Sequence, residues 1–222
     1  MALAMGLVAF ISLTLLFINN NYYKLISNRA SSVKESVYQT VYSIVTNQIN
    51  ETKGQMFFPF MFTVFIFILG NNLVGMVPYS FASTSHFILT FSLSFTVVIG
   101  ATFLGLAIHN IKFFSLLVPA GCPLPLLPLL VLIEFISYLA RNVSLGLRLA
   151  ANVLSGHMLL NILSGFTYKM MCSGLLIFIV ALLPLSFVTA FSALEIGIAF
   201  IQAQVFVVLS CAYIKDGLAL HS

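Results

Sequence analysis

Charged side chains are scarce in this sequence. Only 6% of its 222 residues are Asp, Glu, Lys or Arg, whereas 61% are hydrophobic, and the mean hydropathy is +1.12. Soluble domains have about 25% charged residues and roughly half apolar ones. The composition therefore excludes an ordinary soluble domain and predicts an integral membrane protein.

The small number of charges also limits the possible partners. Nine Lys and Arg against five Asp and Glu give a formal net charge of +4, but these residues are scattered along the chain. They are too few to form a basic patch, so a nucleic-acid partner is not expected. Most of them fall outside the apolar runs, which indicates orientation in a bilayer by the positive-inside rule.

Motifs for metal, disulfide and nucleotide chemistry are missing. The three cysteines Cys122, Cys172 and Cys211 are far apart and show no CxxC spacing, so neither a metal site nor a disulfide framework is expected. The sequence has no GxxxxGK[ST] phosphate loop. We therefore expect no cofactor and no catalytic site belonging to this chain.

Apolar runs begin near the N-terminus. Residues 1–18 lack a basic leader and a clear small-residue cleavage site, so they favour a short first span over a signal peptide. Residues 19–55 hold six of the fourteen charged residues, four of them basic and two acidic. Apolar residues at spacings of three and four predict an amphipathic helix in the interface there, on the positive side. These residues are Val33, Val37, Val41, Ile44 and Val45.

Two further apolar runs predict a helical hairpin over residues 56–112. Its spans cover 56–77 and 87–107, and Pro78 closes the first. Residues 113–128 then contain four prolines, which do not fit a regular helix. We expect a proline-rich connector there, at membrane level and shielded by protein.

The last part of the chain, 129–216, predicts a hairpin of two very long helices. The apolar runs 129–163 and 175–213 are separated by a polar, glycine-bearing break at 164–174. A helix over 129–163 would be roughly 52 Å long, whereas the hydrocarbon core is about 30 Å thick. Both helices must therefore be strongly tilted. The expected fold is an all-α membrane protein with a first span, an interfacial helix and these two hairpins.

Three charges interrupt the first long helix. Glu134, Arg141 and Arg148 follow one another at intervals of seven, which keeps them on one face with a drift of ~20° per step. Each charge costs ~2.5 to 3.5 kcal/mol near the bilayer centre and usually faces a bundle interior or a water-filled path. A mutually neutralising network is the alternative. However, Glu134 and Arg148 are roughly 21 Å apart along the axis, so Glu134 pairs more readily with Arg141. Arg148 then has no acidic partner in its own helix, which favours a functional role for it.

Titratable residues also occur on both long helices. Glu195 and Gln202 are seven residues apart on the second, and His157 lies nine residues after Arg148, on nearly the opposite face of the first. Histidine and glutamate can both take up and release protons, so they suit a proton-access path. A hydrogen-bonded core histidine is the alternative interpretation of His157.

Three segments carry a resemblance to a known family. They read SLGLRLAANVLSGH at 144–157, LEIGIAFIQAQVF at 194–206 and AYIKDGLALH at 212–221. With the flanking spans, the chain resembles subunit a of the F-type ATP synthase over nearly its whole length. The sequence resembles the mitochondrial, especially the fungal, version of this subunit. The SLGLRLAANVLSGH block is the most specific part of this resemblance.

The resemblance implies a proton-conducting stator subunit without a catalytic site of its own. Its expected partners are a rotating ring of c subunits, other membrane and peripheral-stalk subunits, lipid and protons. It implies the mitochondrial inner membrane, with the N-terminus in the intermembrane space and the C-terminus in the matrix. The long tilted hairpin would pack on the ring.

The resemblance also implies roles for individual residues. Arg148 corresponds to the family's essential arginine, which separates two half-channels. The other implied positions are His157 and Glu195 in the outer access channel, Glu134 with Asp216 near the matrix exit, Gln202 facing the arginine across the hairpin, and Asn152 near the ring contact.

Two other classes of protein remain open on the residues alone. An independent secondary transporter or channel would also contain buried charges and broken helices, but the chain shows no evident inverted repeat. A purely structural membrane scaffold would leave Arg148 unexplained. Copurification with a ring of small hairpin proteins and a soluble ATPase would distinguish the stator from both.

Overall fold

The computed structural model of the chain describes residues 6, 29–49, 51–77, 82–110, 113 and 126–218, and every regular element in these ranges is helical. Within these ranges, four helices are long and apolar enough to cross a membrane, namely those over Gly54–Gly75, Phe87–His109, Leu127–Met171 and Ile177–Leu218. The predicted first span, 1–18, lies outside the described residues except for residue 6, and so does most of the predicted connector, 113–128. The elements are α1 Arg29–Ile49, α2 Glu51–Gly75, a 3-10 turn Ser83–Ser85, α3 Phe87–His109, α4 Leu127–Met171 and α5 Leu175–Leu218.

Helix α1 presents its apolar face to the other helices. Val41, Val45 and Ile49 recur every four residues and are buried in the core. The helix packs against α2 and α5. Val33, at the start of the predicted apolar stripe, is 63% exposed. The apolar stripe therefore packs against the other helices only from its middle onward.

The core contains buried residues of all five helices, most of them on α2, α3 and α5. Small residues let α3 and α5 approach closely, since a Cβ on Gly217 would lie only 2.9 Å from the backbone oxygen of Ala101. The largest buried side chains come from α2 and α5, and an edge-on contact joins Phe65 to Phe200. Packing of this kind fixes how α5 lies relative to the two-helix hairpin.

Helix α4 runs through most of the break expected at 164–174. It continues to Met171, and the interruption is confined to 172–174. The polar residues are accommodated because Ser164 Oγ donates to Asn161 O at 3.1 Å and Thr167 Oγ1 to Leu163 O at 2.6 Å. The chain turns at Gly174, whose φ of 149° strongly favours glycine.

The two long helices are longer than the sequence pattern indicated. Helix α5 begins at Leu175 as expected but extends to Leu218, with Pro184 inside it. Helix α4 begins at Leu127, so Pro128 occupies its first turn, where a missing backbone N–H costs no helical hydrogen bond. At ~1.5 Å per residue both helices exceed roughly 65 Å, about twice the hydrocarbon thickness.

Candidate functional site

The antiparallel packing of α4 and α5 brings their polar residues together in two groups. Asn152 and Gln202 are in contact in one group, and Arg141 and Asp216 in the other. We call the first group the amide–carboxylate cluster and the second the ion-pair cluster. The amide–carboxylate cluster comprises Asn72, Asn152, His157, Glu195 and Gln202, and the ion-pair cluster comprises Glu134, Arg141 and Asp216.

A small cavity lies within the amide–carboxylate cluster, where α2 meets the α4–α5 hairpin. Its volume is about 20 Å³. Glu195 and Gln202 are 9% and 5% exposed, so both polar side chains are largely withdrawn from solvent. The lining residues are Asn72, Met76, Asn152, Val153, Glu195, Ile198, Ala199 and Gln202.

Gly156 provides the space that the Glu195 carboxylate occupies. A Cβ at position 156 would overlap Oε1 of Glu195 and lie 2.8 Å from its Cδ. His157 is close enough to interact electrostatically with Glu195. Nε2 of His157 and Oε2 of Glu195 are both buried, and neither has a hydrogen-bond partner among the described residues. Two groups able to exchange protons thus lie within electrostatic range of each other, and Gly156 makes room for one of them.

The ion-pair cluster joins α4 to the end of α5. Nη2 of Arg141 lies 3.6 Å from Oε1 of Glu134, and Nη1 lies 4.0 Å from Oδ2 of Asp216. The expected pairing of Glu134 with Arg141 is therefore observed. The side chain of Arg141 is 49% exposed, that of Glu134 36% and that of Asp216 43%. In water such pairs contribute only about 0–1 kcal/mol, so stability alone does not explain them.

Arg148 lies between the two clusters. Its side chain is exposed and lines a cavity of about 170 Å³ together with Arg141, Tyr213 and Asp216. Within the described part of the chain, no carboxylate oxygen comes within 4.0 Å of its guanidinium. Along α4 it is roughly 10 Å from Arg141 and roughly 6 Å from Asn152. A cation without an acidic partner among the described residues thus separates two polar groups.

Gln202 has a hydrogen-bond partner on α4. Its Oε1 accepts a hydrogen bond of 2.9 Å from Nδ2 of Asn152. Asn152 is one helical turn beyond Arg148, and the implied position of Gln202 opposite the arginine stays a prediction. Gln202 lines the small cavity and is not among the residues around Arg148.

Sequence reasoning missed two contributors. Asn72 of α2 lines the small cavity, and Arg141 contacts a second carboxylate on α5. The adjacent asparagines Asn71 and Asn72 in an otherwise apolar span were the one available signal for the first, because buried amides need partners. The contact of Arg141 with Asp216 has no periodic signature.

Comparison with known proteins assigns the chain to one family. The family model described as ATP synthase A chain matches residues 1–215. Three similar proteins, each named ATP synthase subunit a, come from fungi. The Emericella nidulans protein is 69% identical over 99% of this chain and 84% of its own length. The Cochliobolus heterostrophus protein is 70% identical over 99% and 85%, and the Schizosaccharomyces pombe protein is 45% identical over 98% and 87%.

Proposed function

Because this chain belongs to the ATP synthase A chain family, we propose that it is the proton-conducting stator subunit of the synthase membrane sector, in the mitochondrial inner membrane. Its fungal relatives are named ATP synthase subunit a, and its long apolar helices are those of a membrane protein. Its partners are a ring of carboxylate-bearing c subunits, other membrane and peripheral-stalk subunits, lipid and protons. ATP chemistry takes place in partner subunits.

The position of Arg148 is the observation that carries this proposal. It is an exposed cation between two polar clusters, and the described residues offer it no carboxylate within ion-pair distance. A charge at membrane depth is costly and usually faces a functional path. A ring carboxylate passing the exposed side of α4 would supply the missing acid.

The two clusters then serve as half-channels. A proton from the intermembrane space enters through His157 and Glu195 and is transferred to a ring carboxylate. After the ring has turned, the proton leaves toward the matrix past Glu134 and Asp216. Asn152 and Gln202, hydrogen-bonded to each other, lie between Arg148 and the outer path.

Arg148 acts as an electrostatic gate in this scheme. Its guanidinium stays protonated in proteins, so it cannot relay a proton between the half-channels. At ~4 Å and an effective dielectric near 20 it attracts an ionised carboxylate by about 4 kcal/mol. The ring carboxylate therefore gives up its proton before it passes. The free energy that drives proton flow is ~2.3 kcal/mol per proton for each 100 mV of membrane potential.

The orientation follows from the same scheme. The N-terminus lies in the intermembrane space and the C-terminus in the matrix, with α4 and α5 strongly tilted across the bilayer. Their exposed apolar side chains, such as Leu147 and Ile201, are available for the ring and for lipid. Helix α1 lies at the matrix interface while its buried face packs on α2 and α5.

ATP-driven acidification of vesicles that contain the assembled complex tests the proposal. Arg148→Ala is expected to abolish acidification while assembly largely survives. Arg148→Lys should fail as well, because a compact, strongly hydrated ammonium does not reproduce the planar guanidinium. Lys169→Ala, which removes another exposed cation of α4, is the matched control and should pump normally. Normal acidification by Arg148→Ala would contradict the proposal.

A further inference from the structure

Asn72 is a buried side chain whose polar atoms are not satisfied by the protein. It is 2% exposed on α2, and neither its Nδ2 nor its Oδ1 has a hydrogen-bond partner among the described residues. Leaving such an amide unpaired costs about 1–3 kcal/mol. A cost of that size calls for a ligand that supplies the missing hydrogen bonds.

The neighbouring asparagine makes this absence informative. Asn71 is equally buried, at 1% exposed, but its amide is fully engaged. Its Nδ2 donates to Phe67 O at 2.7 Å, and its Oδ1 accepts from Ser83 Oγ at 2.7 Å. One asparagine of the pair therefore holds the fold together, whereas the other presents its amide to a cavity.

The cavity that Asn72 lines is suited to a single water molecule. Its volume of about 20 Å³ exceeds the ~10–15 Å³ that a water needs. Polar groups from three helices surround it, namely Asn72 of α2, Asn152 of α4, and Glu195 and Gln202 of α5. Oε2 of Glu195 is a second buried atom without a partner in the described residues. Donor and acceptor are thus both present.

We infer that this cavity binds one water molecule between the amide of Asn72 and the carboxylate of Glu195, and that Asn72 is a positioning residue for proton uptake. The inference rests on the proposed function, because it names the group that hydrates the outer proton carrier. The water accepts a hydrogen bond from Nδ2 of Asn72 and donates one to Oε2 of Glu195. It passes one proton to Oε2 as it takes another from the outer side.

Replacing the Asn72 amide separates this role from simple packing. Asn72→Leu has similar size but makes that wall of the cavity apolar and removes one of the two to four polar partners that a buried water needs. Asn72→Ser keeps a group that both donates and accepts hydrogen bonds. Asn71→Leu is the matched control, since it removes a satisfied amide one residue away and acts on the packing of α2 against the turn at Ser83.

The experiment measures proton flux per assembled complex in vesicles under an imposed potential. Asn72→Leu is expected to lower the flux about tenfold, the effect of losing one hydrogen bond of about 1.4 kcal/mol. Asn72→Ser should stay within about threefold of the natural chain because its hydroxyl holds the water. Asn71→Leu should lower the yield of complex but not the flux per complex. A high-resolution map of the natural complex should show water density between Asn72 and Glu195.

Three results would overturn the inference: full flux in Asn72→Leu, a Ser variant as slow as the Leu variant, or no water density in the natural complex. The density decides the matter even when a variant does not assemble. Glu195→Gln, measured alongside, distinguishes a failure of this inference from a failure of the proposed function. Undiminished flux in Glu195→Gln would contradict the proposed function itself. Slow flux in Glu195→Gln together with full flux in Asn72→Leu would contradict only the inference about the bound water.

Discussion

Asn152 of α4 donates a hydrogen bond of 2.9 Å to Gln202 of α5. The two residues are far apart in sequence, so the bond fixes the register of the long hairpin at a point one turn beyond Arg148. Hydrogen bonds between membrane helices contribute on average about 0.6 kcal/mol. The bond therefore matters more for where side chains are held than for overall stability.

Breaking this bond from the Asn152 side is expected to have a measurable cost. Asn152→Leu leaves the amide of Gln202, which is 5% exposed, without its partner and should destabilise the complex by about 1–3 kcal/mol. Exchanging the residues, with Asn152→Gln and Gln202→Asn together, should restore most of the loss. Thermal unfolding of the purified complex measures both. Asn161→Leu, on an exposed position of α4, is the control; equal destabilisation there would contradict the assignment.

Gly156→Ala should interfere directly with Glu195. The added Cβ would overlap Oε1 and lie 2.8 Å from Cδ, so the carboxylate must leave its present position. Such overpacking costs about 1–3 kcal/mol and should slow proton uptake about tenfold or more.

Gly165→Ala is the matched control for this change, because a Cβ at that position of α4 meets nothing within 4 Å. Shortening the acid in the double variant Gly156→Ala with Glu195→Asp should recover part of the flux. Equal flux in the two single alanine variants would show that the glycine is not needed for space.

Gly217→Ala is expected to act on assembly rather than on conduction. Its Cβ would lie 2.9 Å from the backbone oxygen of Ala101, which cannot turn aside as a side chain could. Forcing α3 and α5 apart should cost about 1–3 kcal/mol. The yield of assembled complex should fall while flux per complex is retained. Gly100→Ala, which meets nothing within 4 Å, should assemble normally; an equal loss in both would contradict this account.

Arg141→Gln should separate the conduction role of the ion-pair cluster from any stabilising role. Arg141 is 49% exposed, so losing its contacts with Glu134 and Asp216 should lower stability by no more than about 1 kcal/mol. Proton release toward the matrix should slow clearly, because the two carboxylates lose the cation that holds them together. Flux and thermal stability of the same preparation measure the two effects. A strongly destabilised complex with full flux would assign the cluster a structural role instead.

The helical framework could largely be predicted from hydropathy. The second hairpin helix begins at Leu175 as the pattern indicated. The end of α4 was placed eight residues too early because Ser164 and Thr167 suggested a break. Their hydroxyls instead bond to backbone oxygens of the preceding turn, and composition does not reveal whether a polar side chain is satisfied inside its own helix.

The site could be predicted where it depends on spacing within one helix. The interval of seven residues correctly placed Glu134 beside Arg141. Contacts between helices could not be predicted in the same way: the hydrogen bond between Asn152 and Gln202 depends on how α4 and α5 are aligned. Asn72 was overlooked because the other polar residues that line its cavity lie on α4 and α5, and a periodic pattern carries no information about the register between helices.

The passive proton permeability of the membrane sector tests most directly whether Arg148 keeps the two half-channels apart. Vesicles containing the assembled complex would be given a potential while ATP hydrolysis and rotation are blocked. Complexes with the natural chain should hold the gradient, and Arg148→Ala should dissipate it, because no fixed cation then prevents protons from crossing between the clusters. An Arg148→Ala complex as tight as the natural one would contradict the account.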